Sequence, residues 1–178
     1  GFGYNEEGPV DHTLNMLKIS KQNGDLMGVL VNYACHAVAV TSNVVHGDWP
    51  GVAQKILEER HPGSIAMVSI GCGADANPQP YEEEFVDQHG TRIAEEADSL
   101  IRADLRPVRG NPECRIKNID LPLQPIPSRE EWEKRAEGDG RLAYYAGIIL
   151  DRMDQGKSIK KSQDYIIQNW SFSDDLTM

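Results

Sequence analysis

The sequence has no long hydrophobic run, few cysteines and a shortage of positive charge. No apolar stretch approaches the roughly 18 residues of a membrane-spanning helix, so no transmembrane segment is predicted. The three cysteines, Cys35, Cys72 and Cys114, cannot all pair and form no C-x-x-C motif, so we expect free, buried thiols. Lysine and arginine total 18 against 28 acidic residues, a formal charge of -10. This balance argues against binding to nucleic acid or to an anionic membrane.

Several motifs of well-known sites are also missing. "GCGAD" at 71–75 lacks the third glycine of G-x-G-x-x-G and is not followed by Lys-Ser/Thr, so it is not a phosphate-binding loop of the usual kinds. The G-x-S-x-G elbow of serine hydrolases does not occur. The chain begins "GFGYNEEG" without a methionine and stops at "NWSFSDDLTM". We therefore expect residues 1–178 to form a single domain that is an internal fragment of a longer protein.

The order of apolar segments predicts an α/β fold with a mixed β-sheet flanked by helices. "TLNMLKIS" at 13–20 and the apolar run from Leu26 flank the turn signal Asn23-Gly24, which predicts an N-terminal antiparallel hairpin. A helix with Asp48 as its N-cap and a strand at 64–70 follow, and this order predicts a right-handed parallel crossover. The later elements expected are a helix at about 82–105, a strand at 114–123, a helix capped by Ser128 and Glu131, a helix at 144–153, and a strand at 165–172.

The stretch "VLVNYACHAVAV" at 29–40 reads as a buried strand that contains one histidine, His36. A histidine in such a place has two interpretations. It is a core residue whose ring nitrogens are hydrogen-bonded, or it is a ligand that a rigid strand delivers to a site. The strand by itself does not distinguish them.

Ligands of open α/β sheets bind beyond the carboxyl ends of parallel strands. If the crossover forms, the segment after the second strand and the loop "GCGADANP" meet at one edge of the sheet. His36, His46, Asp48, Asp75 and Asn77 then converge on one pocket. Each also has a structural interpretation: Asp48 as a helix cap, His46 as an exposed loop residue, and Asp75 and Asn77 as braces of a turn.

Several segments, taken together, resemble a known family. "VNYACHAVAV", "HGDWPGVAQKILEE" and "AMVSIGCGADANP", followed by a long helix, are similar to the catalytic region of the neutral/alkaline, non-lysosomal ceramidases, in particular their bacterial branch. The likeness continues through "LPLQPIPSREEWE" and "YIIQNWSF". That family hydrolyses the amide bond of N-acyl sphingoid bases with one zinc ion. The resemblance implies a zinc-dependent hydrolase of an N-acyl or lipid-like amide, and mildly favours a secreted or periplasmic protein.

The resemblance also implies roles for individual residues. His36 is the expected zinc ligand, since neutral imidazole is a good zinc donor. Zinc would polarise the amide carbonyl or activate the attacking oxygen. We expect Asp75 and Asn77 to be catalytic. The remaining residues expected to line the substrate pocket are His46, Asp48, Gly71, Cys72 and Gly73.

The chain departs from the family pattern in ways that bear on activity. Asn77 stands where ceramidases have a serine, and an amide can stabilise an oxyanion but is no nucleophile, which puts ceramide in question as the substrate. Glu6 follows Asn5 where the family has Asn-Arg, so a positive contact becomes negative. The family's other zinc ligands, an H-x-H segment and acidic and tyrosine residues, lie outside this chain. We therefore expect little zinc binding and no activity from the chain alone. A non-catalytic binding or scaffold module with a decayed site stays open as the alternative.

Overall fold

The computed structural model describes residues 5, 7–174 and 176–178, and the chain divides into two compact units, Gly1–Arg106 and Pro107–Met178. Each unit has its own sheet and its own pair of helices. The α/β class predicted from the sequence is confirmed, and the single domain over 1–178 stays a prediction. Within the described residues, none of the helices combines the length and apolarity needed to cross a bilayer.

The first unit contains the predicted mixed sheet. Its strands are β1 (Asn15–Ser20), β2 (Leu26–Tyr33) and β3 (Ile65–Ile70), in the order β1-β2-β3. β1 pairs antiparallel with β2 and β2 pairs parallel with β3, which confirms both the hairpin and the crossover. Gly24 turns the hairpin with a φ of 92°, a left-handed conformation that glycine adopts without strain.

Two helices accompany this sheet. α1 (Asp48–Arg60) is the crossover between β2 and β3, and α2 (Val86–Arg102) follows a short 3₁₀ turn at Glu83–Phe85. The buried core joins residues from both helices and from the sheet: Val29, Val31, Ala53, Leu57, Ala66, Ala94, Ala97 and Ile101. The helices approach closely at Gly90, where an added Cβ would lie 2.4 Å from the Cβ of Val52.

The second unit contains a separate, antiparallel sheet. It consists of β4 (Glu113–Pro122), β5 (Ser162–Ser173) and β6 (Leu176–Thr177), with β5 in the centre. Between β4 and β5 lie α3 (Arg129–Ala136) and α4 (Gly140–Asp154). Ser128 caps α3 as predicted, because its hydroxyl accepts a hydrogen bond from the backbone N–H of Glu131 at 3.2 Å.

The prediction that residues 29–40 form one continuous strand is wrong, because β2 ends at Tyr33. Its neighbour β3 ends at the level of Tyr33, so no partner strand continues the ladder beyond that point. The backbone N–H of His36 instead donates to the carbonyl of Ala76 at 2.9 Å. In the apolar run after His36, Ala39 is fully buried without being in a strand, whereas Ala37 and Val38 are exposed.

The prediction of buried thiols is correct for one cysteine only. All three are free; Cys35 is buried, whereas Cys72 and Cys114 are exposed. Cys72 lies in the loop after β3, which ends at Ile70.

Candidate functional site

A groove of about 1410 Å³ opens in the first unit beyond the carboxyl ends of β2 and β3. Its walls come from the residues before β1, the segment after β2, the loop after β3 and one face of α2. This is the edge at which an α/β sheet ordinarily binds its ligands. His36, Asp75 and Asn77 all line it, so the structure brings these sequence-predicted residues together.

Two hydrogen bonds tie His36 to the loop after β3. Its backbone N–H donates to the carbonyl of Ala76, and its ring Nε2 lies 3.2 Å from the carbonyl oxygen of Ala74. In the neutral tautomer that carries its proton on Nε2, this nitrogen donates to Ala74 and Nδ1 keeps its lone pair. The ring is partly buried and borders the groove, so a purely aliphatic setting for His36 does not occur.

The beginning of α1 holds the segment that carries His36. The indole Nε1 of Trp49 donates to the carbonyl of His36 at 2.9 Å, and the carboxylate of Asp48 accepts the backbone N–H of Val40 at 2.9 Å. Asp48 is the first residue of the helix and not its N-cap, which is Gly47 without a side-chain hydrogen bond. Asp48 is 4% exposed, has a φ of 52° and does not line the groove. Its carboxylate therefore fixes backbone rather than facing a ligand.

Two other predicted pocket residues also lie outside the groove lining. His46 is exposed, and its Nδ1 accepts the backbone N–H of Asp48 at 2.9 Å, so it contributes to the start of α1. Cys72 is exposed in the loop after β3. Neither residue borders the cavity that contains His36.

Gly71 and Gly73 shape the groove without lining it. A Cβ on Gly73 would lie 2.5 Å from the backbone nitrogen of Cys35, and one on Gly71 would lie 3.0 Å from Oδ1 of Asn32. The glycines let the loop after β3 approach the segment after β2 more closely than any side chain would permit. This contact places Asp75 and Asn77 beside His36.

Glu83, which the sequence analysis did not single out, holds the end of the segment that follows His36. Glu83 accepts hydrogen bonds from the backbone N–H groups of Thr41 and Ser42 at 3.2 and 3.1 Å, and from the hydroxyl of Ser42 at 2.7 Å. These bonds favour the charged form and lower the pKa of Glu83. The local sequence carries no signal for this contact, since it joins residues of different segments.

Other residues that line the groove were not predicted from the sequence. Tyr33 ends β2, and His89, Arg92 and Glu96 line the groove from α2. The last three recur at intervals of three and four residues, which is the spacing of one helix face. That periodicity was readable in the sequence, but the position of α2 beside the groove was not.

Burial changes the acidity of two groups near His36. It raises the pKa of the Cys35 thiol to about 11, with the nearby Asp48 carboxylate adding to the effect. Burial also raises the pKa of Tyr33, which the positive charge of Arg92 partly opposes. Both groups are therefore protonated near neutral pH, so Cys35 is a poor nucleophile and Tyr33 is a hydrogen-bond donor.

His36 fits the role of one metal ligand. Its contact with a backbone carbonyl fixes the ring in the way that metal-binding histidines are usually held, with the other nitrogen available. Among the described residues, no three His, Cys, Asp or Glu side chains cluster as a metal site. A zinc site takes three or four ligands, so His36 would be one member of a larger set. Glu6, the expected charge reversal, lies outside the described residues.

No protein-family model matches this chain, and no curated protein matches it. Solved structures similar to it include two ceramidases. A ceramidase complexed with C2 has a TM-score of 0.53 and 20% identity, covering 65% of this chain and 21% of that one. The neutral ceramidase from Pseudomonas aeruginosa has a TM-score of 0.57 and 17% identity, covering 91% of this chain and 33% of that one. The family resemblance seen in the sequence is thus supported at the level of the fold, over a minor part of each ceramidase.

Proposed function

We propose that this chain is part of a ceramidase-type hydrolase that cleaves the amide bond of an N-acyl substrate, with its active site in the groove beside His36. The observation that carries the proposal is that His36, Asp75 and Asn77 line one groove at the carboxyl ends of two parallel strands. The fold likeness to ceramidases supports the same reaction class.

The groove offers groups suited to amide hydrolysis. His36 would hold a zinc ion through Nδ1, together with ligands from outside this chain, and zinc when bound supplies Lewis-acid polarisation. The side-chain amide of Asn77 would donate a hydrogen bond to the carbonyl oxygen as negative charge develops on it. The carboxylate of Asp75 would take a proton from the attacking water and return it to the leaving nitrogen. The carbon–nitrogen bond breaks, and the products are a carboxylic acid and an amine.

A non-catalytic module is the second candidate. Asn77 favours it, because an amide supplies no nucleophile to the groove. In that case the groove would bind an amide or lipid-like molecule without cleaving it.

Metal content and hydrolysis in the full-length protein that carries this chain test the proposal. We expect stoichiometric zinc in the wild type, loss of zinc in His36→Ala, and retention in His61→Gln, which changes a histidine outside the groove. We expect Asn77→Ala to lower kcat on a fluorogenic N-acyl amide by about 10²-fold, the loss typical of one oxyanion donor. Unchanged zinc in His36→Ala would overturn the metal assignment. Zinc binding without hydrolysis of any N-acyl substrate would favour the binding module.

A further inference from the structure

A cation and a hydroxyl that have no hydrogen-bond or ion-pair partner among the described residues lie in the same groove. Arg92 of α2 and Tyr33 at the end of β2 both line it. Within the described residues, no carboxylate lies at ion-pairing distance from Arg92, although Glu95 and Glu96 follow on the same helix. Arg102 on that helix, by contrast, pairs with Asp98 at 2.7 Å.

The ring and the backbone of Tyr33 are both held by neighbouring residues. The ring contacts Trp49 edge to face, with the ring centroids 6.1 Å apart and the planes at 88°. The carbonyl of Tyr33 accepts the backbone N–H of Gly71 at 2.9 Å. No hydrogen bond of its hydroxyl occurs among the described residues. Tyr33 and Arg92 line one groove from β2 and α2, so a single ligand in that groove can meet both side chains.

We propose that Arg92 and Tyr33 form a subsite for a carboxylate on the substrate, so that the amide cleaved belongs to an N-acyl amino acid or a similar acidic amide. A planar guanidinium binds a carboxylate through two parallel hydrogen bonds, and the phenol supplies a third donor. The amide part of this inference rests on the proposed function, whereas the anion-binding part does not.

The charges of the groove favour a carboxylate over a phosphate. Asp75, Glu95 and Glu96 line the same groove and repel a doubly charged group more strongly than a singly charged one. Arg92 offers one positive charge, which matches one carboxylate. The chain as a whole carries a formal charge of -10, so only a local cation can make this groove attractive to an anion.

Calorimetric titration of this chain with three probes of equal acyl length tests the subsite: N-lauroylglycine, the neutral N-lauroylethanolamine, and the phosphate ester of the latter. We expect Arg92→Gln to weaken binding of N-lauroylglycine about tenfold or more and to leave binding of N-lauroylethanolamine unchanged. Arg92→Lys should restore part of the affinity. Tyr33→Phe should weaken it several-fold. Lys55→Gln, an equal loss of charge on the exposed face of α1, is the control and should bind as the wild type does.

Three results would overturn the subsite: equal affinity of wild type and Arg92→Gln for N-lauroylglycine, an equal effect of Lys55→Gln, or Arg92-dependent binding that favours the phosphate ester.

Measurements on the full-length protein distinguish failure of the subsite from failure of the proposed function. Arg92-dependent binding of the carboxylate without hydrolysis would support the subsite and contradict the hydrolase. Hydrolysis of the neutral amide with no preference for the acidic one would support the hydrolase and contradict the subsite.

Discussion

The indole N–H of Trp49 donates to the backbone carbonyl of His36 across 2.9 Å. Trp49 is 2% exposed and lies in the first turn of α1, the helix that connects β2 to β3. The crossover helix therefore does more than join two strands, because it also fixes the segment on which the candidate metal ligand lies.

Replacing Trp49 by phenylalanine removes this hydrogen bond but keeps an aromatic ring in the core. We expect a loss of about 1–3 kcal/mol in the free energy of unfolding, since a partly buried carbonyl loses its N–H donor and the ring becomes smaller. Urea unfolding followed by circular dichroism measures the change. Trp170→Phe at a 40% exposed position is the control and should change stability by less than about 0.5 kcal/mol. Equal losses in both variants would contradict the role assigned to the bond.

Replacing Asp48 by asparagine tests the other contact between α1 and this segment, the hydrogen bond from the backbone N–H of Val40 to the Asp48 carboxylate. One carboxylate oxygen of Asp48 accepts from Val40 at 2.9 Å and the other from Trp49 at 2.7 Å. Asparagine tolerates the positive φ but turns one acceptor into a donor that faces an N–H group. We expect a loss of about 1–3 kcal/mol in the free energy of unfolding, and faster amide exchange at Val40 by NMR. Unaltered exchange at Val40 would show that the carboxylate does not hold this backbone.

Replacing Gly73 by alanine should push the loop after β3 away from the segment after β2. The new Cβ would overlap the backbone of Cys35 and Ala34, 2.5 and 2.7 Å away. We expect a loss of roughly 2 kcal/mol or more in stability, because backbone atoms on both sides must move. Gly51→Ala in α1 is the matched control, with no atom within 4 Å of the added Cβ, and should be neutral or stabilising by up to about 1 kcal/mol.

The pairing of Asp98 predicts a pH dependence of stability. Hydrogen bonds from Arg102 and then His61 lower the pKa of Asp98 below its ordinary 3.8. Because the pKa of Asp98 is lower in the folded chain than in the unfolded chain, its ionised form stabilises the fold above pH 3.8. This stabilisation is lost as the pH falls through the pKa that Asp98 has in the folded chain. We expect Asp98→Asn to be less stable than the wild type at pH 7, with the difference shrinking below about pH 4. Asp104→Asn, at an exposed position after α2, is the control and should change stability at pH 7 by less than about 0.5 kcal/mol.

The three thiols should differ in reactivity. Cys72 and Cys114 are exposed, whereas Cys35 is 8% exposed and burial raises its pKa to about 11. At pH 8 we expect two thiols to react rapidly with Ellman's reagent and the third only when the chain unfolds, because the thiolate is the reactive form. Rapid reaction of all three would mean that the segment around Cys35 opens readily.

The limits of the sequence interpretation are clearest at β2. Apolarity predicted a strand from Leu26 onward, and the strand is there, but the same pattern continued through Ala39 without a strand. A run of apolar residues therefore does not by itself require a sheet partner, and it does not guarantee burial at every position, since Ala37 and Val38 are exposed. Whether a partner exists depends on where β3 ends, and that is a property of two segments together.

The sequence by itself determined the elements and their order: a hairpin at Asn23-Gly24, a crossover helix from Asp48, the cap at Ser128, and the convergence of His36, Asp75 and Asn77 at one sheet edge. These features follow from short-range backbone preferences and from the handedness of parallel connections. Only the tertiary structure decided that Asp48 turns towards backbone, that Gly73 brings two segments into contact, and that Arg92 borders the groove. Those outcomes depend on how closely packed segments approach one another, a distance that no local pattern encodes.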